Sequence, residues 1–564
     1  MPNLSRSSNT FANAARLLRL GSARGFSPAS LFAAGEVGAW YDPSDFSTMF
    51  QESTGVTPVT AVEQPVGLLL DKSKSLSLGS NIVNSSVTAG GWSSSFGGTT
   101  ASGSQVTFAV QYGTWAYSAT TVDGGFYEFR FTARNISGNT ALTFYHDSFG
   151  TSNFTTGLTI SSTAQEYVVR PPGKSGGGAV LFGFQDRNAA GQGAVEITNV
   201  SVKLINGIHA SQATPASRPM LSARVNLLTR TEDFTNAAWA TGSALNGTRT
   251  NGSVSVSLVN GYCYIRQLVT LTTGRAYTAS FDVVCDQTIA NVPIRIAADS
   301  GTAASTLLSM TANQVYRVSL SGMTGGTVHI ELGIDVRAGV VPGGSTSTGY
   351  TVTFNRADLR VTNTGTNLPA YQAVVTSTNY DTSGFPLYLK FDGVDDSLAT
   401  GTITPGVDKA QVFAGVRKLS DAAVSYLVEY SAIVSANAGA FNLLAPGTAA
   451  TAEYTFRSRG DAVSVPATAS PYAAPITNVI SGIASISEDV SQIRVNGAVI
   501  QSNSIDQGLG NYLAYPLYIG GRAGTSFPFN GNLYGLIVRF SSANLAAATI
   551  SSTETWLNGK TRAF

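Results

Sequence analysis

The sequence predicts an all-β chain of tandem β-sandwiches preceded by a short N-terminal docking arm, helical or irregular. Three observations predict it. Charged residues make up only 12% of the chain, about half the usual ~25%, while hydrophobic content is 43% and glycine reaches 59 residues. Apolar and polar residues alternate with period two over many short runs, as in half-buried strands. Finally, one phrase occurs twice. Asn226-Leu-Leu-Thr-Arg-Thr-Glu-Asp-Phe-Thr-Asn-Ala-Ala-Trp239 is the clearer copy and Asn81-Ile-Val-Asn-Ser-Ser-Val-Thr-Ala-Gly-Gly-Trp92 the looser. Each opens a run of strand patterns that closes on a similar strand, Val195-Glu-Ile-Thr-Asn-Val-Ser-Val-Lys-Leu204 and Val352-Thr-Phe-Asn-Arg-Ala-Asp-Leu-Arg-Val361. Such internal similarity signals repeated modules, and 564 residues exceed what one core can organise.

Residues 1–45 form the expected arm. Arg6, Arg16, Arg19 and Arg24 precede the first acid, Glu36. Phe11, Ala14, Ala15 and Leu18 share one helical face, on a helix too short to stand alone. An acid-free, Arg- and Ser-rich start also has the composition of an organellar transit peptide; an arm that orders against a partner is the reading adopted. Residues 46–80 are expected as an extended connector, with Val66-Gly-Leu-Leu-Leu70 as one buried strand. Trp40 and Tyr41 are expected to anchor this region on the first sandwich.

The first sandwich spans 81–205. Tyr127, Phe129, Phe131 and Ala133 fall on one strand face, with Glu128 and Arg130 on the other. A linker, 206–225, carries Pro215 and Pro219 and is expected as a hinge. The second sandwich spans 226–362, with Tyr277, Ala279, Phe281, Val283 and Cys285 inward. A connector with Pro369, Gly384 and Pro386 covers 363–387. The last unit, 388–564, has its own plan. Asn496-Gly497 suits a type I′ hairpin turn, Leu533 to Phe540 reads as a central strand, and Ile550, Thr553, Trp556 and Leu557 mark a closing helix.

Leu389-Lys-Phe-Asp-Gly-Val-Asp-Asp-Ser-Leu398, Val495-Asn-Gly-Ala-Val499, Leu517-Tyr-Ile-Gly-Gly-Arg522 and Phe529-Asn-Gly-Asn-Leu-Tyr-Gly-Leu-Ile537 occur in an order that resembles laminin G-like or concanavalin A-like jelly rolls. Gly38-Ala-Trp-Tyr-Asp-Pro-Ser-Asp45, Pro65-Val-Gly-Leu-Leu-Leu-Asp71 and Tyr380-Asp-Thr-Ser-Gly-Phe-Pro386 resemble segments of structural proteins of tailed bacteriophages. The Asn226-to-Trp239 phrase resembles the opening of the carbohydrate-binding-module-like sandwich such proteins carry. These resemblances imply a virion protein exposed on the particle: a tail fibre, a head fibre or a decoration protein.

Chemistry-bearing patterns are sparse. A glucanase needs two carboxylates on one strand face, ~5–5.5 Å apart in retaining enzymes. Glu488 and Asp489 are adjacent and point apart on a strand, and Glu429 and Glu453 stand alone. No enzyme activity and no cofactor are expected. Asp392, Asp395 and Asp396 cluster in a turn. They read either as side chains bonding their own backbone or as part of a calcium site, which needs six to eight oxygens. Cys263 and Cys285 read as buried thiols, with a cross-strand disulfide as the alternative. His146, His209 and His329 are too dispersed for a metal pair. Trp92, Trp115, Trp239, Tyr262 and Tyr264 have faces suited to sugars, but the matched positions of Trp92 and Trp239 favour a core plug.

A net charge of +1 gives no global attraction for nucleic acid, and no apolar run is long enough to insert in a membrane. The expected function is a non-enzymatic virion structural protein. It would attach to other virion proteins through its N-terminal region, display sandwiches to host-surface glycans, and assemble as a homo-oligomer, a trimer among the options. The alternatives are a capsid decoration protein and a polysaccharide-active enzyme with accessory modules.

Overall fold

In the computed structural model, residues 26–564 are described apart from 139–140, 148–152, 175, 187–192, 242–246, 251–253, 258–260, 272–275, 299–302, 324–325 and 363–370. The described strands form six sheets, paired as three sandwiches. All named strand pairs are antiparallel, so the all-β expectation holds.

The internal repeat is a repeat of topology. In the first sandwich one sheet runs Trp92–Phe96, Thr114–Thr121, Gly178–Asp186, Ala141–Asp147, Asn153–Thr159. The second sandwich has the same order: Trp239–Thr241, Tyr262–Thr270, Thr327–Asp335, Ile289–Ala298, Ala303–Met310. The facing sheets also match, with Phe126–Ser137 and Ala194–Ile205 central in one, Tyr277–Cys285 and Thr351–Val361 in the other. The alternation places the predicted faces correctly. Tyr127, Phe129, Phe131 and Ala133 are buried in one core, Tyr277, Ala279, Phe281, Val283 and Cys285 in the other. The opposite faces are less wet than the pattern suggests. Glu128 is covered by Arg130 and Arg170, and Asp282 by Arg317 and Arg356.

The repeated phrase has a specific mechanical role. Each closing strand carries a β-bulge, with Asn199 at φ 55° in one and Arg356 at φ 50° in the other. A bulge leaves ladder groups unpaired, and the phrase's first asparagine pairs them. Asn226 accepts from Leu359 N (3.0 Å) and Leu228 N (3.1 Å) and donates to Ala357 O (3.0 Å) and Gln372 O (3.0 Å). Asn81 repeats the gesture more loosely, accepting from Val202 N at 2.8 Å and donating to Val200 O at 3.5 Å. The phrase's tryptophan then plugs the core. Trp92 and Trp239 are both buried, and their indole N–H groups donate to Asn84 O (2.9 Å) and Arg230 O (2.8 Å).

The terminal sandwich departs most from expectation, because it is assembled from segments read as arm, connector and linker. Its eight-stranded sheet includes Val37–Tyr41, Met220–Ser222, Tyr388–Asp392 and the long Asn530–Ser541. Its nine-stranded sheet includes Met49–Phe50, Leu68–Leu69 and Ala210–Ser211 beside Leu398–Thr400. Residues 26–45 are therefore not a docking arm. Ala39 and Tyr41 lie in the core between the sheets, and Val37 to Tyr41 pair with Phe540 to Leu536. Buried Arg539 fixes this entry by donating to Leu31 O (2.9 Å), Gln411 Oε1 (2.8 Å) and Glu36 Oε1 (2.8 Å). The part of the arm formed by residues 1–25, with its four arginines and Phe11, Ala14, Ala15 and Leu18, lies outside the described residues.

Residues 46–80 and 206–225 are likewise corrected as connector and linker, although the buried strand expected at Val66 to Leu70 is present as Leu68–Leu69. Their apolar residues Met49, Val59, Val66, Leu69, Ala210 and Leu221 are fully buried in the terminal core, so these are framework strands rather than tether and hinge. Trp40 is corrected too. It packs edge-on against Trp556 at 5.6 Å, on the closing helix Ala547–Thr561, and not on the first sandwich. That helix covers the outer face of the eight-stranded sheet. Val412, Ala414 and Val416 point between the sheets, while Phe413 points under the helix. Asn496 (φ 51°) and Gly497 (φ 82°) make the predicted hairpin turn.

Both repeated sandwiches are thus long insertions in the terminal one. The first leaves after Leu68–Leu69 and returns as Ala210–Ser211, which pair with each other. The second leaves after Met220–Ser222 and returns as Tyr388–Asp392, also a pair. The first sandwich is seated by a backbone contact in which a Cβ on Gly401 would lie 2.1 Å from Gly124 Cα, and by Phe126 and Ile205 against Phe50, Leu68 and Leu70.

A polar knot ties the framework segments. Buried Asp71 accepts from Trp40 N (2.7 Å), Ser73 N (2.7 Å), Ser73 Oγ (2.6 Å) and Ile208 N (2.8 Å). Burial pushes its carboxyl up to about 6, against these hydrogen bonds. Next to it His209 Nδ1 accepts from Asp71 N at 2.9 Å, and its other ring nitrogen faces Ile205 O at 3.1 Å. Full burial lowers this imidazole to about 4, so it is neutral at pH 7.

Candidate functional site

Where the second sandwich rests on the terminal one, the two leave an open cleft of about 630 Å3. One wall comes from the second sandwich, with Leu268, Val269, Arg360 and Val361. The other is the outer face of the eight-stranded sheet beyond the end of the helix. There Leu389 and Val416 point into the core, so their strand neighbours Lys390 and Arg417 point into the cleft. Arg224, after Met220–Ser222, and Arg562, after the helix, complete the lining.

Charge is concentrated here. Among the described residues five cations line the cleft and Glu63 is its only carboxylate, in a chain whose net charge is +1. Glu63 is held by hydroxyl donors, Ser222 Oγ and Tyr380 OH, each at 2.7 Å. Arg360 pairs with Asp358 at 2.5 Å. Three of the others bond neutral oxygens. Arg224 donates to Asn226 O and Leu227 O, both at 2.9 Å. Arg417 donates to Thr477 Oγ1 at 2.9 Å and Arg562 to Gly384 O at 3.3 Å. Lys390 is exposed. Tyr388, packed edge-on to Tyr534 at 5.2 Å, closes the floor. No sequence signal pointed to this cleft, because its cations are scattered between positions 224 and 562.

The residues singled out from the sequence lie elsewhere. Asp392, Asp395 and Asp396 do converge, with carboxylate oxygens within 4.8 Å of one another. Asp392 Oδ1 accepts from Val394 N (2.7 Å) and Asp396 Oδ2 from Asp392 N (2.9 Å), a turn bonding its own backbone. Ser217 Oγ donates to Asp395 at 2.7 Å. Burial, then the neighbouring carboxylates, push Asp396 up to about 7. Cys263 and Cys285 are buried thiols on facing sheets and form no disulfide. Trp92 and Trp239 are core plugs, and Trp115 is pinned to Val87 O at 2.9 Å. Tyr262 lies against Tyr264 at 4.5 Å, beneath Arg295 at 4.9 Å. His146 has a side chain outside the described residues.

Of the glutamates, Glu429 is buried beside Arg522 at 3.3 Å and accepts from Val434 N at 3.1 Å. Burial raises its carboxyl. Glu488 accepts from Asn544 and lies 3.3 Å from Lys409. Among the described residues, no helix is long and apolar enough to cross a membrane.

No family model and no curated protein matches the chain. Among solved structures it is similar to the N-terminal CBM22-1–CBM22-2 tandem domain of Paenibacillus barcinonensis Xyn10C, at 13% identity and TM-score 0.22, covering 50% of this chain and 98% of that one. It is also similar to the Ruminococcus gnavus IT-sialidase CBM40 bound to alpha2,3 sialyllactose, at 15% identity and TM-score 0.22, covering 26% of this chain and 83% of that one. A NanB sialidase of Streptococcus pneumoniae matches at 11% identity and TM-score 0.22, over 29% of this chain and 27% of that one. Likeness at these scores carries no argument about function.

Proposed function

We propose that the chain is a non-enzymatic structural protein of a bacteriophage virion that displays its two repeated sandwiches to host-surface glycans. The observation that carries this reading is the topology. Two modules that share one strand order, the first with the additional edge strand Leu78–Asn81, are held on a third whose sheets include strands from the intervening segments. Such a frame fixes the orientation of the modules. The phage-like phrases at Gly38 to Asp45 and Pro65 to Asp71 fall in segments that supply framework strands. Attachment to the particle then falls to residues 1–25, with basic Arg6, Arg16, Arg19 and Arg24.

Immunogold electron microscopy of purified particles, paired with capture of the protein on host-surface polysaccharide, tests the reading. Labelled particles and saturable capture without released oligosaccharide are expected. Particles lacking the protein would overturn the virion role. Release of oligosaccharide would replace it with a polysaccharide-active enzyme, and head labelling without glycan capture with a decoration protein.

A further inference from the structure

We propose that the cleft between the second and terminal sandwiches binds an anionic saccharide through a carboxylate. The inference rests on the glycan-display reading and names the ligand class for one site. A volume of about 630 Å3 lies within the roughly 300–1,000 Å3 of small-ligand sites, and interfaces between domains are where such sites concentrate. Among the described residues the lining carries five cations against one carboxylate; Asp358 pairs with one of the five, Arg360, and the carboxylate, Glu63, already accepts hydrogen bonds from two hydroxyls. Low-dielectric walls focus such a field.

The remaining wall decides between classes of anion. Leu268 is 56% exposed and stands with Val269 and Val361 opposite the cations. A bare phosphate leaves that apolar wall wet. A sugar ring presents C–H faces to it while its carboxylate meets a guanidinium in the fork geometry arginine favours. Nucleic acid fits poorly, since tight backbone binding needs many phosphate contacts along a stripe and the field here is confined to one recess. A ligand in this position touches both sandwiches.

Calorimetry on the full chain tests the site with three probes: trigalacturonate, its methyl ester and inorganic phosphate. Trigalacturonate is expected to bind, with affinity falling as salt rises, and the ester to bind at least tenfold more weakly. The double variant Lys390→Gln/Arg562→Gln should lose roughly tenfold, about 1.4 kcal/mol, while Lys203→Gln on the first sandwich should lose nothing. Equal binding of the ester, phosphate binding as tight as trigalacturonate, an unaffected double variant, or no saccharide binding would each overturn the site. Capture of the double variant on host polysaccharide separates the two readings, because unchanged capture sinks the cleft and leaves glycan display standing.

Discussion

Replacing Asn226 by alanine should cost the second sandwich far more than the same change at Asn81 costs the first. Asn226 is fully buried and makes four bonds of 3.0–3.1 Å to backbone groups on three segments. Alanine leaves the N–H groups of Leu228 and Leu359 without acceptors in a site that water does not reach. Each such orphan costs about 1–3 kcal/mol, so the expected loss is about 4 kcal/mol. Asn81 is half-buried, and its single short bond is that from Val202 at 2.8 Å. Water replaces it, at a cost of about 1 kcal/mol. Scanning calorimetry reads the difference, since about 4 kcal/mol displaces a midpoint by roughly 10–20 °C in a module of this size. Hydrogen exchange over Thr351–Val361 assigns the displaced transition to the second sandwich. Equal losses for the two variants, or an Asn226→Ala transition within about 1 kcal/mol of wild type, would refute the idea that this side chain holds the bulge.

Further outcomes follow from the framework. His209 is held neutral at about 4, against ~6.5 unfolded. A depressed pKa means stability present above pH 6.5 and lost as pH falls toward 4, on the order of 3 kcal/mol; His209→Asn should flatten that acid limb in pH-dependent denaturation. Asp396 is raised to about 7, so its contribution is present below pH 4 and lost as pH rises through 7. Asp396→Asn should therefore raise the midpoint at pH 8 but not at pH 4, and a chelator should move neither; a chelator-sensitive midpoint would turn the self-bonded turn into an ion site. Deleting residues 1–45 should abolish cooperative unfolding of the terminal sandwich, whereas a detachable arm would leave its calorimetric transition in place. Gly401→Val should detach the first sandwich, because its Cβ meets Gly124 backbone; an unchanged small-angle scattering profile would count against that seat.

Strand faces were legible because period-two alternation is local: Tyr127 to Ala133 declares its buried side within seven residues. The closing helix and the Asn496-Gly497 turn were legible for the same reason. The frame was not. Leu68–Leu69 falls in the buried strand expected at Val66 to Leu70, but its pairing with Ala210–Ser211 was not visible; Ala210–Ser211 and Met220–Ser222 are too short to show a period, and Met220–Ser222 finds its partner far along the chain. Pro215 and Pro219 made 206–225 read as linker, although Ala210–Ser211 and Met220–Ser222 are strands. The cleft was hidden more completely, since Arg224, Lys390 and Arg562 share no motif. The repeated phrase was recognised, but its asparagine's role depends on a bulge more than a hundred residues away.

The bond from Arg539 to Leu31 joins residues 508 positions apart. During synthesis at ~5–20 residues per second, the first framework strand waits roughly 25–100 s for its partner to be made. Both inserted sandwiches have left the ribosome by then, and each has all of its own strands. The apolar edge at Val37–Tyr41 stays uncovered throughout that interval, exposed to other nascent copies. Closure of the frame therefore waits on its last strand: a chain cut short before Asn530–Ser541 lacks the partner of Val37–Tyr41 and cannot complete the terminal sandwich.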